Sequence, residues 1–217
     1  MLRKETFSRN GFYGWQNGRK DFSSAFGYFL GRYAKDDPFP YKEYTVPTDA
    51  DHVKFQIDFY EIDSWDADNR YGPDCIYIWI DDTKVFIGIF GSDNDEGRRK
   101  GSMNGITWRS KALAGPENIG FGSAKDQKHR ITMLIPKSYF ADGKMKVTLE
   151  TRVNGPKEDE SSGWDNIKVF YLYDCPAEDY HRQLPGKSEL SDSDDLFAED
   201  EVLFADVGPE PERANLD

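Results

Sequence analysis

Val53-Lys54-Phe55-Gln56-Ile57-Asp58-Phe59 sets apolar and polar side chains in strict alternation. Successive side chains of a β-strand point to opposite faces, so this spacing predicts a strand with one face buried. Met145, Val147, Leu149, Thr151 and Val153 alternate with Lys146, Thr148, Glu150 and Arg152 in the same way. Between these strands, Ile76 to Ile80 and Val85 to Phe90 flank Asp81-Asp82-Thr83-Lys84, a hairpin pattern expected at the centre of a sheet. His129 to Ile135 reads as a further strand, followed by a turn at Asp142-Gly143, and Ile167 to Tyr173 is apolar on both faces. Residues 1 to about 50 read as short strands joined by turns, and no helix longer than two turns is expected. Such a series predicts an all-β fold, a two-sheet antiparallel sandwich of jelly-roll or concanavalin-like type. Gly91 to Lys128, with Arg98-Arg99-Lys100 and Trp108, reads as a long loop over one end, with an irregular strand through Ile106-Thr107-Trp108.

The chain of 217 residues carries a formal charge of -12. From Glu178 onward there are 13 acids and three bases, so the C-terminal segment holds -10 of that charge. Met1 to Ala177 has 27 acids and 25 bases, without the basic surplus that phosphate neutralisation asks for, and nucleic acid is not an expected partner. The division is therefore a β-sandwich over 1–177 and an acidic extension over 178–217. Leu196-Phe197-Ala198-Glu199 recurs as Leu203-Phe204-Ala205-Asp206 seven residues later, which would place both apolar pairs on nearly one helix face. The composition is that of a disordered tail, but the expectation is a tail that docks through Leu196, Phe197, Leu203 and Phe204, on its own domain or on a neighbouring subunit. No apolar run approaches the roughly 20 residues needed to span a bilayer, and the first residues lack the apolar segment of a secretory leader. No membrane insertion and no cleavable signal peptide are expected. Cys75 and Cys175 are open between one bridge and two thiols, and the scattered His52, His129 and His181 argue against a Cys/His zinc site.

Asp58-Phe59-Tyr60-Glu61-Ile62-Asp63-Ser64-Trp65-Asp66-Ala67-Asp68 packs five carboxylates into eleven residues. Carboxylates this close repel unless a positive charge separates them, and calcium accepts six to eight hard oxygens from a strand end and a loop. Glu158-Asp159-Glu160-Ser161-Ser162-Gly163-Trp164-Asp165-Asn166-Ile167 again leads carboxylates into an apolar strand. Taken with Phe29-Leu30-Gly31-Arg32 and Phe59 to Asp66, it resembles the β-sandwich modules of large calcium-dependent extracellular bacterial proteins, often found beside RTX-type repeats. In those modules an Asp-Glu-Ser-x-Gly-x-Asp-Asn segment opens a late strand. The likeness covers about Thr6 to Tyr173. Ser162 stands where the family tends to have an aromatic residue, and the glycine-rich nonapeptide repeats are absent. The resemblance implies calcium held by Asp63, Asp66, Glu160 and Asp165, with Asn166 in support; Asp68 joins them from the acidic run. It requires the two acidic segments to meet around one cation.

Glu61-Ile62-Asp63-Ser64-Trp65-Asp66 also resembles the Glu-x-Asp-x-x-Glu strand of laminarinase-type glycoside hydrolases, which implies Glu61, Asp63 and Asp66 as the catalytic carboxylates of a rival enzymatic reading. Aromatic residues number 32, of which 21 lie in residues 1 to 90. Trp65, Tyr71, Trp108 and Trp164 sit in Gly- or Asp-rich segments and are the candidate platforms for sugar rings, while Trp79 reads as core. The leading expectation is a non-enzymatic, calcium-dependent module that binds a polysaccharide or cell-surface glycan, in an extracellular or particle-surface setting. The alternatives are a structural or decoration subunit of a phage-like particle or surface assembly, tethered by residues 178–217, and the laminarinase-like hydrolase.

Overall fold

A computed structural model describes residues 2–7, 13–68, 73–91, 98–118, 121–122 and 124–174. Tyr71, Cys175 and the tail residues Leu196, Phe197, Leu203 and Phe204 lie outside the described residues. The elements are β1 (Leu2–Glu5), β2 (Lys20–Ser23), β3 (Gly27–Tyr33), β4 (Tyr41–Thr45), β5 (His52–Asp63), β6 (Cys75–Ile80), β7 (Thr83–Ile89), β8 (Arg98–Met103), β9 (Ile106–Glu117), β10 (Asp126–Pro136), a 3-10 turn (Lys137–Tyr139), β11 (Lys144–Arg152) and β12 (Glu160–Leu172). They form two antiparallel sheets. Sheet A runs β2-β3-β12-β5-β10-β9-β8, with β1 also paired to β12, and sheet B runs β4-β11-β6-β7. The chain crosses between the sheets at β3–β4, β4–β5, β5–β6, β7–β8, β10–β11 and β11–β12, and the two-sheet antiparallel sandwich is as expected.

The alternating strands meet face to face. Val53, Phe55, Ile57 and Phe59 of β5 and Ile131, Met133 and Ile135 of β10 join Ile76, Ile78, Ile80, Val147 and Leu149 of sheet B in one core. Each such side chain contributes roughly 1.5–3 kcal/mol on burial. Several sequence expectations need correction. β5 is buried on both faces, because Lys54 lies on the Phe170 ring and Asp58 and Tyr60 are covered by neighbours from β10 and β12. The β6–β7 hairpin turns on Asp81-Asp82 alone, with Ile80 opposite Thr83, and β7 is an edge of sheet B, not its centre. The stretch read as a loop over one end holds β8 and all of β9. β12 begins seven residues before its apolar run. Among the described residues no helix is long and apolar enough to cross a membrane.

Candidate functional site

The outer face of sheet A is organised around Asp58. Its carboxylate is fully buried and accepts bonds from Arg130 Nε at 2.8 Å and Nη2 at 3.3 Å, with Lys128 Nζ at 3.2 Å and Asn166 Nδ2 at 2.9 Å. Register explains the convergence, since Arg130 lies opposite Asp58 on β10 and Asp165 opposite it on β12. A bulge between Asp165 and Lys168, with Asn166 at φ 50°, brings both Asp165 and Asn166 onto the outer side. A bulge inserts one extra residue and re-aims the side chains around it. Asp165 in turn accepts from the Tyr60 hydroxyl at 3.4 Å and the Phe7 amide at 3.3 Å. Burial, with the nearby Asp165 and Asp58 charges, holds the Tyr60 hydroxyl well above its usual pKa, so it stays a donor.

Beside this network a pocket of about 340 Å³ is lined by Ala25, Phe26, Tyr60, Ala114, Gly115, Glu117, Asp126, Lys128 and Asn166. That volume is at the small end of ligand clefts, roughly 300–1,000 Å³. Phe26 stacks on the buried Tyr60 with ring centroids 4.1 Å apart and planes 17° apart, so the half-buried Phe26 supplies the open aromatic surface at the pocket and Tyr60 backs it. Facing it are carboxylates, an amide and an ammonium group, which satisfy hydroxyls by donating and accepting. The pocket thus sets an aromatic surface against groups that both donate and accept hydrogen bonds.

The acidic loops are divided between two places. Asp66, Asp74 and Glu160 each present a carboxylate oxygen, all within 4.8 Å of one another. Backbone pairing builds this pole: Asp63 lies opposite Glu160 across β5 and β12, and the Asp66 and Asp74 segments bond to each other (Asp66 N to Asp74 Oδ2 at 2.7 Å, Asp74 N to Asp66 O at 2.8 Å). Burial and a hydrogen bond with Glu160 push Asp74 up to about 9, and burial with the charges of Glu160, Asp68 and Asp159 raises Asp66. Two oxygens on one calcium at about 2.4 Å lie at most about 4.8 Å apart, so the spacing of these three carboxylates is compatible with contact to one such ion.

Asp66 and Glu160 thus meet as expected, and Asp74 joins them unforeseen, since Gly72-Pro73-Asp74 looks like an ordinary turn. The other four expected ligands are not part of this group. Asp165 and Asn166 lie five and six residues along β12 from Glu160, about 16 Å or more away, in the Asp58 network. Asp63 turns its carboxylate to the Ala124 amide at 3.1 Å, closely covered by Gly122. Asp68 is exposed in the loop after β5, its charge felt at Asp66.

The tryptophans expected to carry sugar are core residues. Trp65, Trp108 and Trp164 are 2%, 8% and 0% exposed; Trp65 Nε1 donates to the Ser161 carbonyl at 2.8 Å, and the Trp164 ring packs on Phe59 at 5.0 Å. No ring face is left for a ligand. Trp79, expected in the core, is instead half-buried on the outer face of sheet B, donating to Glu150 at 2.5 Å beside Lys84 and Arg152. Burial pushes Glu150 up, but hydrogen bonds from Lys84, Arg152 and Trp79 more than reverse it and hold it below the usual carboxylate range. This is a closed structural network.

The proposed catalytic carboxylates also separate. Glu61 faces the interior, fully buried, with Oε2 3.0 Å from His129 Nε2 and Oε1 without a hydrogen-bond partner among the described residues. Asp63 is capped by the loop at Ala124, and only Asp66 is partly open. The three do not line a common cleft. Set against known proteins, no protein-family model matches the chain and the search of curated proteins returns no match.

Proposed function

We propose that this protein is a non-enzymatic, glycan-binding β-sandwich, with its ligand in the groove on the outer face of sheet A and calcium at the Asp66–Asp74–Glu160 pole. The observation that carries the reading is the pocket itself: a stacked Phe26–Tyr60 wall faced by Glu117, Asp126, Lys128 and Asn166. An aromatic surface removes the apolar face of a pyranose from water, while the polar rim exchanges hydroxyl bonds with water for bonds with protein. Calcium supports the site indirectly, by holding the loop after β5 to the start of β12. An extracellular or particle-surface setting suits a three-carboxylate site, since extracellular calcium modules work at about 10⁻⁴–10⁻³ M.

The test is retention of the full chain on a panel of immobilised polysaccharides. Phe26→Ala is expected to weaken binding about tenfold, equivalent to about 1.4 kcal/mol of lost stacking, without loss of fold. Retention unchanged in Phe26→Ala and in Asn166→Ala would sink the assignment of the groove. For the metal, addition of calcium to the chelated protein raises the melting temperature, and Asp74→Asn removes that rise.

A further inference from the structure

Resting on that reading, we propose that the glycan is acidic, a polymer bearing uronate or sulfate groups that runs from the pocket across β10, β9 and β8. The carrying observation is a match of register. Arg98 of β8 lies opposite Lys111 of β9, and Lys111 opposite Arg130 of β10. One pair further along, Lys100 lies opposite Arg109. Both rows belong to the outer face, because the interleaved partners Ser110, Trp108, Ile131 and Met133 are buried on the other side. Arg98 and Lys100 are exposed and Lys111, Arg109 and Arg130 partly so.

Like charges directly opposite on neighbouring strands cost stability, about 0.2–1 kcal/mol per pair. A sheet meant only to be wet would alternate signs. Here Arg98/Lys111, Lys111/Arg130 and Lys100/Arg109 all repeat one sign; among the described residues the acids of this face are Asp58, which holds Arg130, Asp165 on β12, and Glu117 and Asp126 at the pocket. Neighbouring strands are about 4.8 Å apart, so Arg98 and Lys111 in one row and Lys100 and Arg109 in the next set four cations close together on β8 and β9, while Arg130 at the end of the first row is held by Asp58. Guanidinium forks match carboxylate and sulfate oxygens in paired bonds. Lys128 stands between this row and the pocket, joining the cationic strip to the aromatic wall. Glu117 and Asp126 repel any anion in the pocket, phosphate, carboxylate or sulfate alike, so the ring seated there meets them with hydroxyls and the acid groups of the polymer lie over β8 and β9.

The experiment measures retention of the full chain on polygalacturonate, on dextran sulfate, on neutral mannan and laminarin, and on a single-stranded oligonucleotide. Binding is expected on at least one acidic polysaccharide, falling roughly tenfold between 50 and 300 mM salt as exposed charges are screened. Whichever of the two binds more tightly identifies carboxylate or sulfate as the group read. Arg98→Glu with Lys111→Glu is expected to weaken that binding at least tenfold with an unchanged melting temperature, and Arg98→Gln with Lys111→Gln, which adds no new charge, to weaken it by a smaller factor. Binding only to neutral polysaccharide, or acidic binding indifferent to both double variants, overturns the acidic ligand while leaving the groove reading intact. Tighter binding to the oligonucleotide than to either acidic polysaccharide overturns it too. Retention on none of the polysaccharides removes both readings.

Discussion

Glu61 shows how a residue that looks chemical can be structural. Alternation puts it on the same side of β5 as Phe59, and that side is the interior, where it meets His129 against the stacked Phe59 ring. Burial pushes its carboxyl well above the usual range, only partly offset by Arg99. A carboxyl with a raised folded-state pKa holds extra protons in the folded state, so its contribution to stability falls as pH rises above about 4. Glu61→Gln keeps the size and removes the charge. It is expected to flatten that fall and raise the melting temperature at pH 8 by roughly 3–6 °C, about 1–2 kcal/mol, with little gain at pH 4, read by calorimetry across that interval. A loss of stability at pH 8 would show that the charged form is the one the fold uses. The tryptophans teach a related lesson. Gly and Asp neighbours made Trp65 and Trp164 look like loop residues, but the pairing of Trp164 with Phe59 and the bond from Trp65 to the Ser161 carbonyl, each across about a hundred positions, place both in the core. Local composition carries no information about that pairing.

At the scale of the element, β8 and β9 explain why a long functional strip escaped the reading of periodicity. Arg98-Arg99-Lys100-Gly101-Ser102-Met103 lacks apolar alternation because its inward positions are filled from elsewhere. Gly101 lies under Trp108 of β9, where a Cβ would come within 2.8 Å of the indole, and Arg99 turns in over the Phe90 ring. The indole occupies the space that a large side chain of β8 would otherwise fill. Gly101→Val is therefore expected to cost about 1–3 kcal/mol by overpacking, to redshift the Trp108 emission and to loosen β8, with acidic-polymer binding lost alongside. Full stability in that variant would mean that β8 does not press on Trp108. By contrast β5, β10 and β11 were legible, since each carries its own alternating face. The candidate site was legible only in part: Asp66 and Glu160 stood in conspicuous acidic runs, whereas Asp74, Phe26 and Lys128 are ordinary residues whose meaning comes from the neighbours that sheet pairing supplies.

For the molecule as a whole, charge is unevenly spread along the chain. Residues 1 to 177 are nearly balanced while the segment from Glu178 carries -10, yet the sandwich gathers cations on one face and carboxylates at one pole. An acidic polymer approaching at low salt feels the summed field as well as its own contacts. Deletion of residues 178–217 is expected to tighten binding to polygalacturonate several-fold at about 20 mM salt, with the difference vanishing by about 300 mM, as measured by isothermal titration. An effect that persists at high salt would point to something other than long-range repulsion.

One strand ties the first part of the chain to the last part of the sandwich. β12 has β5 along one side, and along the other both β3 and β1. A growing chain therefore carries sheet A with a gap at its middle until β12 has been made, and during synthesis the open borders of β3 and β5 can pair with any extended segment at hand. Closure waits for contacts between residues about a hundred positions apart, which makes a slow folder and places the time of greatest aggregation risk before β12 has been made.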